Sequence, residues 1–128
     1  MSLETYRDQM TPKERLAALR EGRPYDRIPC NAFIGEHAAW IKGLSILEYH
    51  HSPREMATAQ IDAYRKYGSD GVTVGVGLTG IAEALGSKVI YPYDNTPYIE
   101  EHVLKDIRDV CKLKLTDPKR DGRLPVIL

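Results

Sequence analysis

Apolar runs alternate with helix-starting signals along the first half of the chain. Thr11-Pro12-Lys13-Glu14 supplies a hydroxyl cap, a proline at the first helical position and a glutamate three residues after the cap. That combination opens a helix with a capping box. Leu16, Leu19 and the flanking alanines give it a short apolar face, and Gly22 is placed to end it. Pro24-Tyr25-Asp26 turns the chain. Residues 28–34 are apolar enough for a buried strand, although Pro29 cannot donate to a ladder. Glu36 to Lys42 predicts a short helix stopped by Gly43. Ser52-Pro53-Arg54-Glu55 repeats the helix-start signature. The helix it opens runs to about Tyr67, with Met56, Ala59, Gln60, Ala63 and Tyr67 along one stripe and Gly68 as its cap.

Residues 71–76 (Gly-Val-Thr-Val-Gly-Val) are small and β-branched, which suits a strand covered on both faces in a parallel sheet. A two-turn helix follows from Gly80 to Leu85, ended by Gly86. Val89-Ile90-Tyr91 predicts a short strand, and Pro92 to Pro97 a turn-rich loop. Val103, Ile107, Val110 and Cys111 share one face of a further helix, and residues 116–122 form a charged loop. The chain closes on Leu124-Pro125-Val126-Ile127-Leu128, which reads as the start of an element rather than its end.

The 128 residues fit one domain. Lys+Arg 18 and Asp+Glu 18 cancel, which excludes a nucleic-acid coat or a polybasic membrane module, since both run on excess Lys and Arg. Cys30 and Cys111 form no CxxC pair, so no zinc knuckle or thioredoxin-type motif is available. The N-terminus lacks the apolar core of a signal peptide and no apolar run is long enough to span a bilayer. A cytoplasmic setting is the expectation.

Gly75-Val76-Gly77-Leu78-Thr79-Gly80 matches the dinucleotide fingerprint GxGxxG. Its geometry argues otherwise: a βαβ unit takes ~30 residues, and the helix from Gly80 to Gly86 is too short to carry the crossover. These glycines are better read as a tight turn at the end of a barrel strand, where α/β barrels build active sites. His50-His51 reads as a solvated turn before the Ser52 cap, because adjacent residues point in different directions. His37 follows the first strand, where a packing role competes with a catalytic one. Tyr91, Tyr93 and Tyr98 either line a pocket or cover a core edge with wet hydroxyls.

Residues 11–20 (Thr-Pro-Lys-Glu-Arg-Leu-Ala-Ala-Leu-Arg), then Asp26-Arg27-Ile28-Pro29, resemble the opening of the uroporphyrinogen decarboxylase superfamily. Glu83-Ala84-Leu85-Gly86, Asp117-Pro118 and Asp121-Gly122-Arg123-Leu124-Pro125-Val126 continue the resemblance across nearly the whole chain. It implies an α/β fold, the N-terminal part of a TIM (β/α)8 barrel, incomplete in this chain. Residues 1–26 would be an N-terminal helix and turn. Residues 27–128 would be the first barrel units, with an excursion near 88–100.

The decarboxylase branch of that superfamily holds propionate carboxylates with an Arg-rich loop after the first strand and uses an Asp after the second. Here no Arg stands between Arg27 and Arg54, and Gly77 occupies the place expected for the Asp. The Gly75–Gly80 segment and Thr79-Gly80-Ile81-Ala82-Glu83 look more like the cobalamin-dependent methyltransferases. Asn31, His37, Gly77, Thr79 and Glu83 are then the expected pocket residues. The resemblance implies a small-molecule substrate, a corrinoid protein partner, and zinc and a corrinoid in the intact protein, none of them held by this chain. The chain alone is expected to be inert. The alternatives are a porphyrinogen decarboxylase and a non-catalytic dimerising or binding module, the latter suggested by the apolar C-terminus and open strand edges.

Overall fold

A computed structural model describes residues 7–128. The first six residues, part of the stretch in which no signal peptide was read, lie outside the described residues. Among the described residues there are five α-helices: α1 (Pro12–Arg20), α2 (His37–Lys42), α3 (Ile46–His51), α4 (Pro53–Tyr67) and α5 (Gly80–Ala84). A two-stranded antiparallel sheet pairs β1 (Lys88–Ile90) with β2 (Tyr98–Glu101), with Val89 opposite Ile99 and Ile90 opposite Tyr98. Two 3-10 turns, Ile107–Lys112 and Leu124–Ile127, complete the chain.

The helix ends follow local chemistry. Thr11 and Glu14 form the expected reciprocal capping box on α1. Ser45 and Glu48 build a second one on α3, which the sequence reading passed over. Ser52 caps α4 by accepting the Glu55 N–H at 3.2 Å. Gly43 and Gly68 end α2 and α4 in the left-handed conformation, at φ 75° and 63°, where a side chain would be strained.

The core is small. α2 and α3 pack on α4, with Ala38 and Ala39 facing Ala59 and Ala63, and Ile46, Tyr49 and Met56 filling the remainder. Alanines at both sides let α2 and α4 approach closely. Ile34, Ile41, Leu44 and Val126 close the margin. Of the expected α4 stripe, Met56, Ala59, Gln60 and Ala63 are buried, whereas Tyr67 is half-exposed.

α1 is fastened by ions. Arg15 is fully buried; its guanidinium donates in a fork to Asp26 (2.6 and 2.8 Å), to Asp70 and to the Met10 carbonyl. Arg27 bonds Asp8 and Asp70, and Asp70 also accepts the Cys30 N–H at 2.6 Å. The network joins α1, the turn at 26–27 and the exit of α4.

The expected α/β barrel start is overturned. Residues 28–34 and 71–76 are extended but enter no sheet, and the described residues are mainly helical around one open two-stranded sheet. A strand is defined by its ladder, and the backbone bond from Asp70 N–H to Cys30 O marks only where the two segments begin side by side. Val72 and Val74 are exposed rather than covered. The helix expected through Val103, Ile107, Val110 and Cys111 is also corrected. Only the 3-10 turn Ile107–Lys112 forms there, and it buries none of its residues. The closing segment forms a 3-10 turn that buries Leu124 and leaves Leu128 exposed. Both cysteines are free and exposed. No helix among the described residues is long and apolar enough to cross a membrane.

Candidate functional site

α3 turns Ile46, Tyr49 and His50 inward at i, i+3 and i+4 spacing. His50 is therefore buried within a helix, at 2% exposure, and not part of a solvated turn as its sequence suggested. His51 faces outward, with Nδ1 near the Leu47 carbonyl at 2.9 Å.

The loop 116–122 brings in the partner of His50. Gly122 (φ 52°) lies so close to α5 that a Cβ there would meet Ala84 backbone at 2.8 Å. That approach delivers Arg123, itself buried, to the inner side of α3. Its guanidinium donates to His50 Nδ1 and to the Val76 carbonyl. Because a guanidinium only donates, Nδ1 must accept, and the single proton of the neutral ring sits on Nε2. That buried Nε2 lies 3.2 Å from Glu36 Oε1 but makes no aligned hydrogen bond. Burial and the Arg123 charge push the His50 pKa down to about 4, against the opposing pull of Glu36. His50 is thus a neutral N–H donor near pH 7.

Tyr91 covers the other side. Its ring sits 5.6 Å from both the His50 ring and the Arg123 guanidinium, and 4.6 Å edge-on from His51. Its hydroxyl donates to Glu83 at 2.7 Å, and burial together with that carboxylate pushes its pKa up to about 12. Gln60, from α4, donates to the Tyr49 hydroxyl (2.6 Å) and the Gly35 carbonyl (3.1 Å), fixing the floor.

His50, Glu36, Tyr49 and Gln60 border a cavity of about 90 Å³, lined also by Phe33, Gly77 and Leu78 among others; Arg123 and Tyr91 stand behind His50 and outside its lining. Gly77 is in the left-handed region (φ 68°), and a Cβ on it would come within 3.3 Å of Arg123 Nη2. No lysine or arginine lines this cavity.

Of the five expected pocket residues, Gly77 borders the cavity directly, whereas Glu83 accepts the Tyr91 hydroxyl and is not part of the lining. Thr79 is buried at the start of α5 without a side-chain cap bond. Asn31 lies against Gly71, where a Cβ would collide with its amide. His37 is exposed and holds the Tyr67 hydroxyl at 2.7 Å, away from the cavity lining. Glu36 and Arg123 were given no site role from the sequence, His50 was read as part of a solvated turn, and Tyr91 was named only with Tyr93 and Tyr98 as lining a pocket or covering a core edge. The Ser45-x-x-Glu48 box followed by inward spacing carried a signal for His50. Nothing local carried one for Arg123, which meets His50 from 73 residues away.

No group of three or more His, Cys, Asp or Glu that could hold a metal ion occurs among the described residues. A protein-family model described as uroporphyrinogen decarboxylase (URO-D) matches residues 11–128. No curated protein matches significantly. A solved structure of a methyltransferase from Methanosarcina mazei superposes with a TM-score of 0.64 at 24% identity, over 92% of this chain and 36% of its own. The likeness is one of fold, and this chain spans little more than a third of that protein's length.

Proposed function

The chain belongs to the uroporphyrinogen decarboxylase family, and from that premise we propose that the protein carrying it is a methyltransferase of the corrinoid-dependent type rather than a porphyrinogen decarboxylase. The charge of the cavity carries this reading. A porphyrinogen presents many carboxylates, and their natural partners are Arg forks. The cavity lining holds one carboxylate, Glu36, and a neutral imidazole, and the one arginine behind it, Arg123, commits its terminal nitrogens to His50 and the Val76 carbonyl. Such a wall offers a polyanion no set of guanidinium forks and suits a small acceptor. The fold likeness to a methyltransferase points the same way.

In this reading Arg123 is a positioning residue that fixes the His50 tautomer, Gly77 leaves room beside it, and Glu36 and His50 orient the acceptor. The zinc used by that branch holds an acceptor thiol as thiolate. The described residues do not fit zinc, and no step here is routed through it. Zinc and the corrinoid belong to parts of the protein beyond these residues, so the 128-residue chain alone is expected to be inert.

The test offers the native protein methylcobalamin with a thiol, and separately uroporphyrinogen. Methyl transfer without porphyrinogen turnover is the expected result. Porphyrinogen decarboxylation, or methyl transfer by the isolated 128-residue chain, overturns the reading.

A further inference from the structure

We propose that the cleft between α2 and the loop 92–97 is a binding site for a small quaternary ammonium compound, seated against Trp40 and Tyr93 beside Asp94. The cleft encloses about 290 Å³ and is lined by Trp40, Leu44, Ser45, Ile46, Tyr93 and Asp94, among others. It shares no lining residue with the His50 cavity, so the inference stands apart from the acceptor reading above. Three observations carry it. First, two aromatic rings border the cleft without serving the core. α2 packs on α4 through Ala38 and Ala39, while Trp40 is 81% and Tyr93 74% exposed. The indole face is the strongest aromatic partner for a cation. Second, backbone geometry holds the two rings' elements together. Gly43 (φ 75°) turns the chain from α2 toward α3, and the Ile46 N–H donates to the Tyr93 carbonyl at 2.8 Å, pinning the loop there. Third, the charge offered is negative. Asp94 lines the cleft, and no described side chain pairs with it. The nearby cation on α2, Lys42, is held by Asp62 at 2.8 Å.

The lining selects among ligands. An anion meets Asp94, and the backbone donors that would receive it are engaged: the Ser45 N–H goes to Glu48 at 2.9 Å and the Ile46 N–H to Tyr93. A metal ion finds no set of three ligands among the described residues. A primary ammonium brings three N–H donors. The Ser45 hydroxyl is already taken by Glu48, which leaves Asp94 and the Tyr93 hydroxyl as side-chain acceptors for them. A quaternary ammonium brings no donor at all, and its charge is spread over methyl groups that suit aromatic faces. A neutral molecule of the same shape keeps the apolar contact and loses the attraction to the rings and to Asp94.

Trp40 is the only tryptophan of the chain, so its fluorescence reads the site directly. The experiment titrates the full chain with choline, with its neutral isostere 3,3-dimethyl-1-butanol and with propylamine, ionic strength being held constant with sodium chloride. Expected is a saturable change with choline, at least tenfold tighter than with either of the others. Asp94→Asn weakens choline several-fold and leaves the isostere unchanged; Tyr93→Leu weakens choline more than the isostere. Equal binding of the isostere means an apolar cleft only and overturns the proposal. So does tighter binding of propylamine, which would make the cleft a seat for primary amines or lysine side chains, or the absence of saturation with choline. The ligand series on the unaltered protein decides the matter even if a variant fails to fold. Binding is read without turnover, so a failure here is distinct from a failure of methyl transfer.

Discussion

His50 gives the molecule a pH dependence that one residue can be tested for. Its pKa falls from the ordinary value near 6.5 to about 4 on folding. Between those values the unfolded chain binds more protons than the folded one, so stability rises with pH across that window. The contribution is complete above the unfolded value and lost as pH falls toward 4, on the order of 2–3 kcal/mol. The groups facing the ring are Glu36, Arg123, Tyr91 and, from its own helix, Tyr49 and His51. Asp26 acts in a separate window, because Arg15 holds its carboxyl well below the usual range and its contribution is lost only below about 3.8. His50→Gln should therefore flatten the urea midpoint between pH 4 and 6.5 and leave the steeper loss below pH 4 intact. An unchanged slope in the upper window would show that His50 is not the titrating group. None of this was legible in the His50-His51 dipeptide, whose two rings part company only once α3 has formed.

At the scale of elements, what the sequence states locally it states well. The capping boxes and the two left-handed glycines are chemistry between residues no more than a few positions apart, and α1, α2 and α4 appear close to where those signals place them. The failures concern partners. Residues 28–34 and 71–76 have strand composition, but composition reports a wish for burial and says nothing of which ladder supplies it. Arg15 is the same lesson in reverse. It stands in the charged run Lys13-Glu14-Arg15 and was given no role from the sequence, yet it is the fastening of α1 through Asp26 and Asp70. Removing one member of a buried ion network leaves the others uncompensated, at a cost of about 3–5 kcal/mol. Arg15→Ala is expected to lower the unfolding free energy by that much. Arg15→Lys should recover only part, because an ammonium cannot make the fork to Asp26. Denaturant titration of the two variants checks this; equal midpoints for Ala and Lys would mean that packing, not the fork, holds α1.

Over the whole molecule, apolar surface is distributed unevenly. Phe33 and Leu78 stand 78% and 88% exposed, yet both border the same cavity mouth, Phe33 within the unpaired stretch 28–34 and Leu78 in the turn that follows the unpaired stretch 71–76. Leu115 is more exposed still but lies apart, at the other end of α5. Scattered apolar side chains are ordinary, whereas an adjoining group beside unpaired backbone recruits other chains. The isolated chain should therefore self-associate as concentration rises. The double variant Phe33→Ser, Leu78→Ser should shift that association at least several-fold to higher concentration, while Leu115→Ser should leave it unchanged. Sedimentation velocity over a hundredfold concentration range separates the outcomes. Equal effects at the two places would assign the association to general hydrophobicity; a monomer throughout would show that the extended segments bury their own edges in solution. The pattern expected instead makes the cavity mouth the sticky surface, and so ties the chain's association to the same two segments that frame its candidate site.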